Sequence, residues 1–440
     1  MTERRTIEVG ALARVEGEGA LHLTIEGDRV VDLRLEIYEP PRFFEGFLRG
    51  RSVRELPDLM ARICGICPVA YQMSAIHAVE SIVGVALDPA IRELRRLFYC
   101  GEWIESHLLH MFFLAAPDYL GLDDGIAIAK RHPVQVERAL RLRKLGNRIL
   151  TLLGGRPVNP VGACIGGFSR VPTRAEMAAL EAELVHAAGE AEACLRWIAS
   201  LPIPSRPRDV ELVSVRHPNE YPMNEGRLVS TRGLDVAVAD FDSAFAESQV
   251  PHSTALHCRR RGGGPYLVGP LARLALSAEH LSPGAAAALE TLRPRIPSFD
   301  PASSVLARGI EVLYACEEAL RIARAYEPPA APASPWAPRA GVGHGATEAP
   351  RGVLYVRVET DAAGDVVAIR IVPPTSQNQA QIEEDLRQLA PGVLALSHDD
   401  ARRACESAIR DYDPCISCST HFLTLEIERR ALPEDSCEPS

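Results

Sequence analysis

Three scarcities in this sequence each exclude a class of protein. No stretch approaches the roughly 18–20 consecutive apolar residues of a membrane-spanning helix, so an integral membrane protein is not expected. Lysine occurs only at positions 130 and 144 and the formal net charge is −10, which argues against a nucleic-acid-binding protein. The 11 cysteines in 440 residues are too sparse for a disulfide scaffold. The sequence therefore predicts a soluble globular protein with more than one packed region.

Two Cys-x-x-Cys pairs stand near opposite ends of the chain. Cys64 and Cys67 form the first pair, and Cys415 and Cys418 form the second. Each pair can place two soft thiolates on one metal ion. A structural zinc site usually closes over a spacer of about 15–20 residues, and a redox dithiol needs only one pair at the start of a helix. The sequence therefore favours a buried transition-metal centre, assembled by the fold, over both alternatives.

The hydrophobic patterns predict an α+β fold. Residues 7–38 and 352–371 alternate as strands do, whereas helical periodicity dominates between them. Residues 200–270 are rich in proline, glycine and arginine and predict irregular structure. We expect a predominantly helical core, a long helix bundle, with strand-rich N-terminal and C-terminal segments that converge at the metal site. Helices are predicted over 69–83, 89–115, 133–153, 173–199, 302–325 and 398–412.

The same patterns divide the chain into five segments. These are a strand-rich segment 1–50, a helical region 51–200 with the first cysteine pair, an irregular plus helical region 201–345, a hairpin, helix and second cysteine pair at 346–421, and a C-terminal extension 422–440.

The residues around the cysteines resemble the large subunit of [NiFe] hydrogenases. The matching stretches follow the order of that family and span residues 14–421. They are Arg14-Val15-Glu16-Gly17-Glu18-Gly19, Arg62-Ile63-Cys64-Gly65-Ile66-Cys67-Pro68, Glu105 to His110, Gly345 to Gly352, and Asp413 to His421. The resemblance implies reversible, heterolytic oxidation of H₂.

In that family four cysteines hold nickel, and the second cysteine of each pair also bridges to an iron with cyanide and carbonyl ligands. The resemblance thus implies that Cys64 and Cys415 are terminal nickel ligands and that Cys67 and Cys418 bridge nickel and iron. Pro68 can begin a helix, whose partial positive charge would lie close to the first pair of thiolates.

Further residues acquire roles through the same resemblance. Glu16 corresponds to a glutamate that relays a proton from the metal centre, although alone it could be a solvated carboxylate at a strand end. Arg351 corresponds to an arginine over the metal pair, where it would hold a cyanide ligand and polarise H₂, with Pro350 shaping the backbone. Thr375, or Ser376 beside it, would donate a hydrogen bond to a second cyanide.

Four more residues complete the expected site. Asp118 and Asp413 correspond to carboxylates near the active-site arginine, although Asp413 could simply form a turn before Pro414. Glu45 and His421 correspond to ligands of a magnesium or similar divalent ion. A salt bridge to an arginine would equally satisfy Glu45, which stands among phenylalanines.

Tyr71 is a departure from the family, and two histidines bear on the packing of a helix. Many relatives have histidine where this chain has Tyr71, and we expect a hydrogen bond from its hydroxyl to replace that of the imidazole. His107 and His110 share a helix face and are expected to be packed, hydrogen-bonded core or relay residues.

In the family an endopeptidase removes the segment after the residue equivalent to His421 once nickel is inserted. We therefore expect 422–440 to be cleaved.

The resemblance is greatest to the cytoplasmic, NAD(P)-linked branch, including the sulfhydrogenases. The chain shows no export signal, no nucleotide-binding glycine motif and no cysteine array for Fe–S clusters. Electrons would therefore leave through an Fe–S small subunit to a flavin and NAD(P) module, in a cytoplasmic complex matured by nickel-insertion proteins. An F420- or ferredoxin-linked hydrogenase and a zinc-stabilised structural protein are the alternatives.

Overall fold

The computed structural model describes residues 4–27, 29–296 and 300–421. Its helices are α1 Phe44–Phe47, α2 Leu56–Met60, α3 Pro68–Val83, α4 Pro89–Leu109, α5 Ala116–Leu120, α6 Gly125–Arg131, α7 Pro133–Gly154, α8 Arg174–Leu184, α9 Ala187–Ala199, α10 Phe241–Ala244, α11 Pro270–Ser277, α12 Pro283–Leu292, α13 Ser304–Arg324, α14 Pro374–Val393, α15 His398–Arg410 and α16 Ile416–Ser419. A π-helical segment, His110–Ala115, joins α4 to α5. Short 3-10 turns occupy Val238–Asp240, Ala278–His280, Arg293–Arg295 and Pro301–Ser303.

The strands form small sheets around these helices. They are β1 Arg4–Val9, β2 Gly19–Glu26, β3 Arg29–Ile37, β4 Ala163–Cys164, β5 Gly167–Phe168, β6 Glu211–Arg216, β7 Arg227–Ser230, β8 Asp235–Val236, β9 Phe245–Gln249, β10 Leu256–Arg260, β11 Tyr266–Val268, β12 Gly341–Ala349, β13 Gly352–Thr360 and β14 Val366–Val372. Antiparallel sheets β1-β2-β3 and β12-β13-β14 lie near the two ends of the chain. The α+β class predicted from the sequence is therefore confirmed.

The helical core is built from α4, α7, α9 and α13, which pack against one another. Helix α4 starts where Pro89 follows Asp88, whose side chain accepts the backbone N–H of Ala90. An N-cap of this kind typically contributes about 1 kcal/mol. Apolar residues on all sides of α13 are buried, so this helix lies at the centre of the bundle.

Strand β12 lies directly on helix α3, with glycines where the two backbones meet. A Cβ atom on Gly343 would lie 1.9 Å from the carbonyl oxygen of Ala78. A Cβ atom on Gly345 would lie 2.1 Å from the carbonyl oxygen of Ser74. Real Cβ atoms do not approach backbone so closely, so only glycine permits this contact. The helix that follows the first cysteine pair is thereby held against the strand that leads to Arg351.

Two predictions of local structure were wrong. Residues 200–270 are not simply irregular, because β6 to β11 lie within them and β11-β6-β7-β8 form a sheet. These strands are short and include a parallel pairing between β6 and β11, which no local pattern reveals. The helix predicted over 173–199 is interrupted between α8 and α9, whereas the helix predicted over 89–115 is confirmed as α4 followed by the π-helical segment. Strand β12 and helix α14 were not predicted.

One apolar cluster extends from Ile7 to Cys418, so the two ends of the described chain share a core. The division into five segments stays a prediction. Among the helices of the described residues, none combines the length and apolar character needed to cross a membrane.

Candidate metal centre

The two cysteine pairs meet in the interior. The Sγ atom of Cys64 lies 3.5 Å from that of Cys415, and Sγ of Cys67 lies 3.6 Å from Sγ of Cys418. Within the second pair the Sγ atoms of Cys415 and Cys418 are 2.9 Å apart. All four sulfur atoms lie within 4.8 Å of one another, and all four side chains are buried.

Local backbone structure orients each pair. Cys67 immediately precedes α3, with Pro68 as the first helical residue, as predicted. Sγ of Cys64 accepts backbone N–H groups of Ile66 and Cys67 at 3.3 and 3.4 Å. Cys415 immediately precedes the short helix α16, which places Cys418 one turn later on the same side. Each pair therefore presents two sulfur atoms to a common space.

The electrostatics of the four thiols favour a cation between them. Hydrogen bonding from the Cys415 thiol lowers the pKa of Cys64 well below its usual range. Burial raises the pKa of Cys418, because the apolar interior disfavours a charged thiolate, and repulsion from Cys64 raises it further. A transition-metal ion removes this conflict because it binds all the thiolates and balances their charge. The donor set therefore fits a thiolate-bound metal centre.

Glu16 contacts the second pair through both side chain and backbone. Its Oε2 atom lies 3.1 Å from Sγ of Cys415 and accepts the N–H of Ser417 at 3.0 Å. Its carbonyl oxygen accepts the N–H of Ile416 at 2.9 Å. The residue is half-buried, so its carboxylate connects a buried thiol with a more accessible region.

Arg351 projects from the turn between β12 and β13. Its Nε and Nη2 donate to the carbonyl oxygen and Oδ1 of Asp413 at 2.7 and 3.0 Å. Its Nη1 atom is buried and has no hydrogen-bond partner among the described residues. Burial opposes the charge of Asp413, but the Arg351 guanidinium lowers its pKa below the usual range. The backbone of Asp413 is also left-handed, with φ at 52°, consistent with the predicted turn before Pro414.

Buried side chains fix the backbone next to Arg351. Arg273 donates to Glu311 at 2.6 Å and to Glu348 at 2.7 Å, with all three side chains fully buried. It also donates to the carbonyl oxygen of Pro350 at 3.0 Å, and Nη1 of Arg308 approaches the same oxygen at 3.5 Å. Sequence reasoning assigned Pro350 but missed the buried arginines. Charged residues among the apolar residues of α11 and α13 were the available signal.

The structure gives Thr375 a defined contact. Its Oγ1 atom, at the start of α14, accepts the backbone N–H of Cys415 at 3.0 Å. The adjacent Ser376 hydroxyl is buried and has no partner among the described residues. Both hydroxyl hydrogens thus remain available for donation, and the choice between these residues stays a prediction.

Asp118 binds arginines other than Arg351. Its Oδ2 accepts from Nε of Arg410 at 2.7 Å, and its Oδ1 accepts from Arg410 and from Arg14. No hydrogen bond or ion pair joins Asp118 to Arg351 among the described residues. The carbonyl oxygen of Arg410 accepts the N–H of Asp413, so Asp118 touches the arginine site only through an intermediate residue.

Glu45 and His421 lie together, as the resemblance implied. Glu45 Oε1 lies 3.6 Å from Nδ1 of His421 and accepts the N–H of Ile371 at 2.8 Å. Neither ring nitrogen of His421 has a hydrogen-bond partner among the described residues. Burial lowers the pKa of His421 to about 3 and raises that of Glu45 to about 7. An uncharged, unpartnered imidazole beside a carboxylate fits a divalent cation.

Arg42, which the sequence did not single out, contacts the backbone beside both cysteine pairs. Its guanidinium donates to the carbonyl oxygen of Ile63, beside the first cysteine pair, at 2.6 Å. The same nitrogen donates to the carbonyl oxygen of Ser417, inside the second pair. Its backbone N–H donates to Thr420 at 2.7 Å. Nothing in the sequence marks this arginine among 48 basic residues, although its position links the two pairs.

Tyr71, His107 and His110 are buried in α3, α4 and the π-helical segment. The hydroxyl of Tyr71 donates to the backbone carbonyl of Cys418 at 3.3 Å. His107 Nε2 hydrogen-bonds Glu311 at 2.9 Å, and His110 Nε2 donates to the carbonyl of Arg410 at 2.8 Å. These contacts are those of packed, hydrogen-bonded residues. The expected cleavage of 422–440 lies outside the described residues.

Comparisons with known proteins agree with this geometry. A family model described as nickel-dependent hydrogenase matches residues 42–139. Sulfhydrogenase 2 subunit alpha of Pyrococcus furiosus is 33% identical over 424 residues, covering 95% of this chain and 100% of that protein. NAD-reducing hydrogenase HoxS subunit beta of Cupriavidus necator is 27% identical and covers 95% of each chain.

A solved structure of an NAD⁺-reducing [NiFe]-hydrogenase in the H₂-reduced state is also similar. It superposes with a TM-score of 0.87 at 26% identity, covering 96% of this chain and 100% of that one. The fold and the buried cysteines define a nickel-dependent hydrogenase. The chain belongs to that family and is the large subunit of a [NiFe] hydrogenase, an oxidoreductase that acts on hydrogen.

Proposed function

We propose that this chain activates H₂ at a nickel–iron centre held by its four converging cysteines and passes the electrons towards NAD(P). Cys64 and Cys415 would be the terminal nickel ligands, and Cys67 and Cys418 would bridge to an iron carrying cyanide and carbonyl ligands. The single observation that carries this proposal is the cluster of four buried sulfur atoms within 4.8 Å. When bound, such a centre cleaves H₂ heterolytically.

Glu16 would accept the proton that H₂ cleavage releases. Its Oε2 atom lies 3.1 Å from Sγ of Cys415, within hydrogen-bonding range of a thiol. The N–H of Ser417 holds that oxygen in place. Because Glu16 is half-buried, a proton taken at Oε2 has a short route towards solvent.

Arg351 would position the diatomic ligands and polarise the substrate. Asp413 accepts Nε of Arg351 with its backbone carbonyl and Nη2 with its carboxylate. Nη1 of Arg351 has no partner among the described residues and is available to donate to a ligand. The charge of the guanidinium is preorganised because Asp413 fixes its orientation before any ligand arrives. Pro350, held by Arg273, would fix the backbone, and the hydroxyl of Thr375 would donate to a second cyanide.

Asp118 would act indirectly, through Arg410. It holds Arg410, whose carbonyl oxygen accepts the N–H of Asp413. These contacts support a role for Asp118 in stabilising the turn that carries Asp413, without direct contact with Arg351.

Glu45 and His421 would bind a magnesium or similar divalent ion. Support comes from the 3.6 Å separation of their ligand atoms and from the unpartnered imidazole. The carbonyl of His421 accepts the N–H of Glu45 at 3.3 Å, so the two residues are joined by backbone as well. Such an ion would anchor the end of the described chain, which is where a maturation endopeptidase would cleave after nickel-insertion proteins have acted.

Electrons would leave through partner subunits. The four active-site residues are the only group of three or more cysteines placed together in the described part of the chain, and they are already assigned to nickel and iron. Similarity to subunits named alpha and beta, and to an NAD⁺-reducing enzyme, supports an Fe–S small subunit and a flavin and NAD(P) module. We further propose a cytoplasmic location on this similarity.

Metal analysis and infrared spectroscopy of the purified complex test the proposal. We expect one nickel and one centre iron per large subunit, infrared bands of CO and CN⁻, and reduction of NAD(P) under H₂. Cys64→Ser and Cys418→Ser should each abolish nickel binding and H₂ uptake. Cys100→Ser, a buried cysteine outside the cluster, is the matched control and should retain both.

The outcomes separate the alternatives. Zinc without nickel or infrared bands would refute a hydrogenase centre and indicate a structural site. An active enzyme that reduces F420 or ferredoxin but not NAD(P) would support the nickel–iron centre and would refute NAD(P) as the electron acceptor.

A further inference from the structure

A second group of metal-ligand side chains lies outside the cysteine cluster. His252, His257 and Glu383 place one nitrogen or oxygen atom each within 4.8 Å of one another. His252 follows strand β9, His257 lies in β10, and Glu383 projects from the middle of α14. None of the three enters the hydrogen reaction as described above.

His257 is the most unusual member of this group. Its side chain is completely buried, yet neither ring nitrogen has a hydrogen-bond partner among the described residues. A neutral imidazole contains one donor and one acceptor, and burying both without partners is unfavourable. A bound metal ion would occupy one of these nitrogens and offset that cost.

Two hydrogen bonds orient the carboxylate of Glu383. Its Oε1 atom accepts the backbone N–H of Leu35 at 3.1 Å and hydrogen-bonds Nε2 of His252 at 2.8 Å. Oε2 makes no hydrogen bond among the described residues. The carboxylate is therefore oriented by β3 while retaining a free oxygen, as a carboxylate ligand requires.

We propose that His252, His257 and Glu383 bind a divalent transition-metal ion, zinc or iron(II), independently of the nickel–iron centre. Two imidazoles and one carboxylate are a ligand set used for both metals, with further positions left to water. Ligand atoms about 2.0–2.2 Å from an ion lie close together, and small side-chain rotations would bring these three into range. His252 is partly exposed and provides a route of entry.

The ion would tie three separate elements together. Glu383 belongs to α14, the histidines belong to the β9–β10 hairpin and its loop, and the Leu35 contact brings in β3. Helix α14 begins beside Thr375, which contacts Cys415. The ion would therefore stabilise the packing of α14 at the middle of the helix, whose first turn contacts the second cysteine pair.

Metal titration of the purified hetero-oligomer tests this proposal. The complex is treated with a chelator that removes labile ions and is then titrated with Zn²⁺ or with Co²⁺ as a spectroscopic probe. We expect wild-type enzyme to take up one ion per large subunit more than His252→Gln, His257→Gln or Glu383→Gln. Nickel content should be unchanged throughout. The control His186→Gln, an exposed histidine, should match the wild type.

A thermal readout provides an independent arm. Zn²⁺ should raise the unfolding midpoint of the wild-type and His186→Gln enzymes but not that of His252→Gln, because binding to the folded state alone stabilises it. Should His257→Gln fail to fold, His252→Gln still decides the matter, since its ring is partly exposed and lies in a loop. Equal zinc uptake and equal midpoints for His252→Gln and wild type would overturn the proposal.

Discussion

The carboxylate of Glu16 and the thiol of Cys415 are 3.1 Å apart, although 399 positions separate these residues in the sequence. The backbone of Glu16 pairs with the chain at Ile416, so the contact does not depend on a flexible side chain alone. The N-terminal segment thus supplies a titratable group to a metal centre completed by the opposite end of the chain.

Glu16→Gln should slow proton transfer without removing nickel. The amide oxygen can still accept the N–H of Ser417, but the side chain can no longer take up a proton. Loss of a positioned acid–base group typically costs 10²–10⁴-fold in rate. The measurement is H₂/D₂O exchange together with nickel content. Glu18→Gln, an exposed neighbour, is the control and should exchange normally. Loss of nickel in Glu16→Gln would contradict a relay role.

Arg351→Lys should lower turnover by roughly 10²–10³-fold while nickel is retained, the cost expected for removing one preorganised donor. A lysine ammonium cannot hold the carbonyl and Oδ1 of Asp413 and also aim a third donor into the site. Steady-state H₂ oxidation measures the turnover, and metal analysis measures the nickel content. Arg339→Lys, at an exposed position, serves as control. Unchanged turnover in Arg351→Lys would show that a single positive charge is sufficient.

Arg42→Met should weaken nickel retention because no other described side chain donates to both Ile63 and Ser417. Changes in the residues that orient metal ligands commonly cost about 10–100-fold in affinity or activity. Nickel per large subunit, measured after growth in limiting nickel, should fall relative to wild type and to the exposed control Arg49→Met. Recovery of full occupancy in excess nickel would support weakened affinity, whereas full occupancy in limiting nickel would refute the prediction.

His107 should make stability depend on pH. Burial lowers its pKa from 6.5 to about 4, although Glu311 opposes this effect and Arg308 also faces the ring. A depressed pKa means that the unfolded chain binds the proton first. The stabilisation is therefore complete above about pH 6.5 and is lost as the pH falls through about 4. Between pH 7 and pH 5 the loss should be about 2 kcal/mol.

Calorimetric unfolding of His107→Gln and wild type at both pH values measures this contribution. The variant should be less stable at pH 7 but should lose less stability on acidification. His398→Gln, with an exposed side chain, should follow the wild type. Parallel losses in His107→Gln and wild type would show that this histidine does not titrate differently on folding.

The sequence was most informative where function constrains neighbouring residues. The cysteine pairs, Glu16 and the Arg351 turn each lie in short stretches that resemble a known family, and the structure brings these side chains together. Helices α3 and α7 were predicted nearly to the residue because a proline starts each one and a glycine ends it.

Long-range contacts were not accessible in this way. Arg42 acts through backbone carbonyls distant in sequence, and Arg273 is paired with carboxylates 38 and 75 positions away. Strand β12 begins Gly-Val-Gly-His-Gly, which reads as a loop because glycine has low strand propensity. Its glycines are explained only by the backbone of α3 lying against them.

This glycine contact bears on protein engineering. A designer who transplants the Cys-Gly-Ile-Cys segment into another scaffold would obtain the ligands without the surface that sets their distance to the guanidinium. At Gly343 and Gly345 the backbone of strand β12 lies directly against the backbone of helix α3. The distance between the two elements is therefore fixed by main-chain atoms, and side-chain mutations elsewhere do not adjust it. A graft of the first cysteine pair should therefore include helix α3 together with strand β12, and should be judged by whether it keeps both glycines.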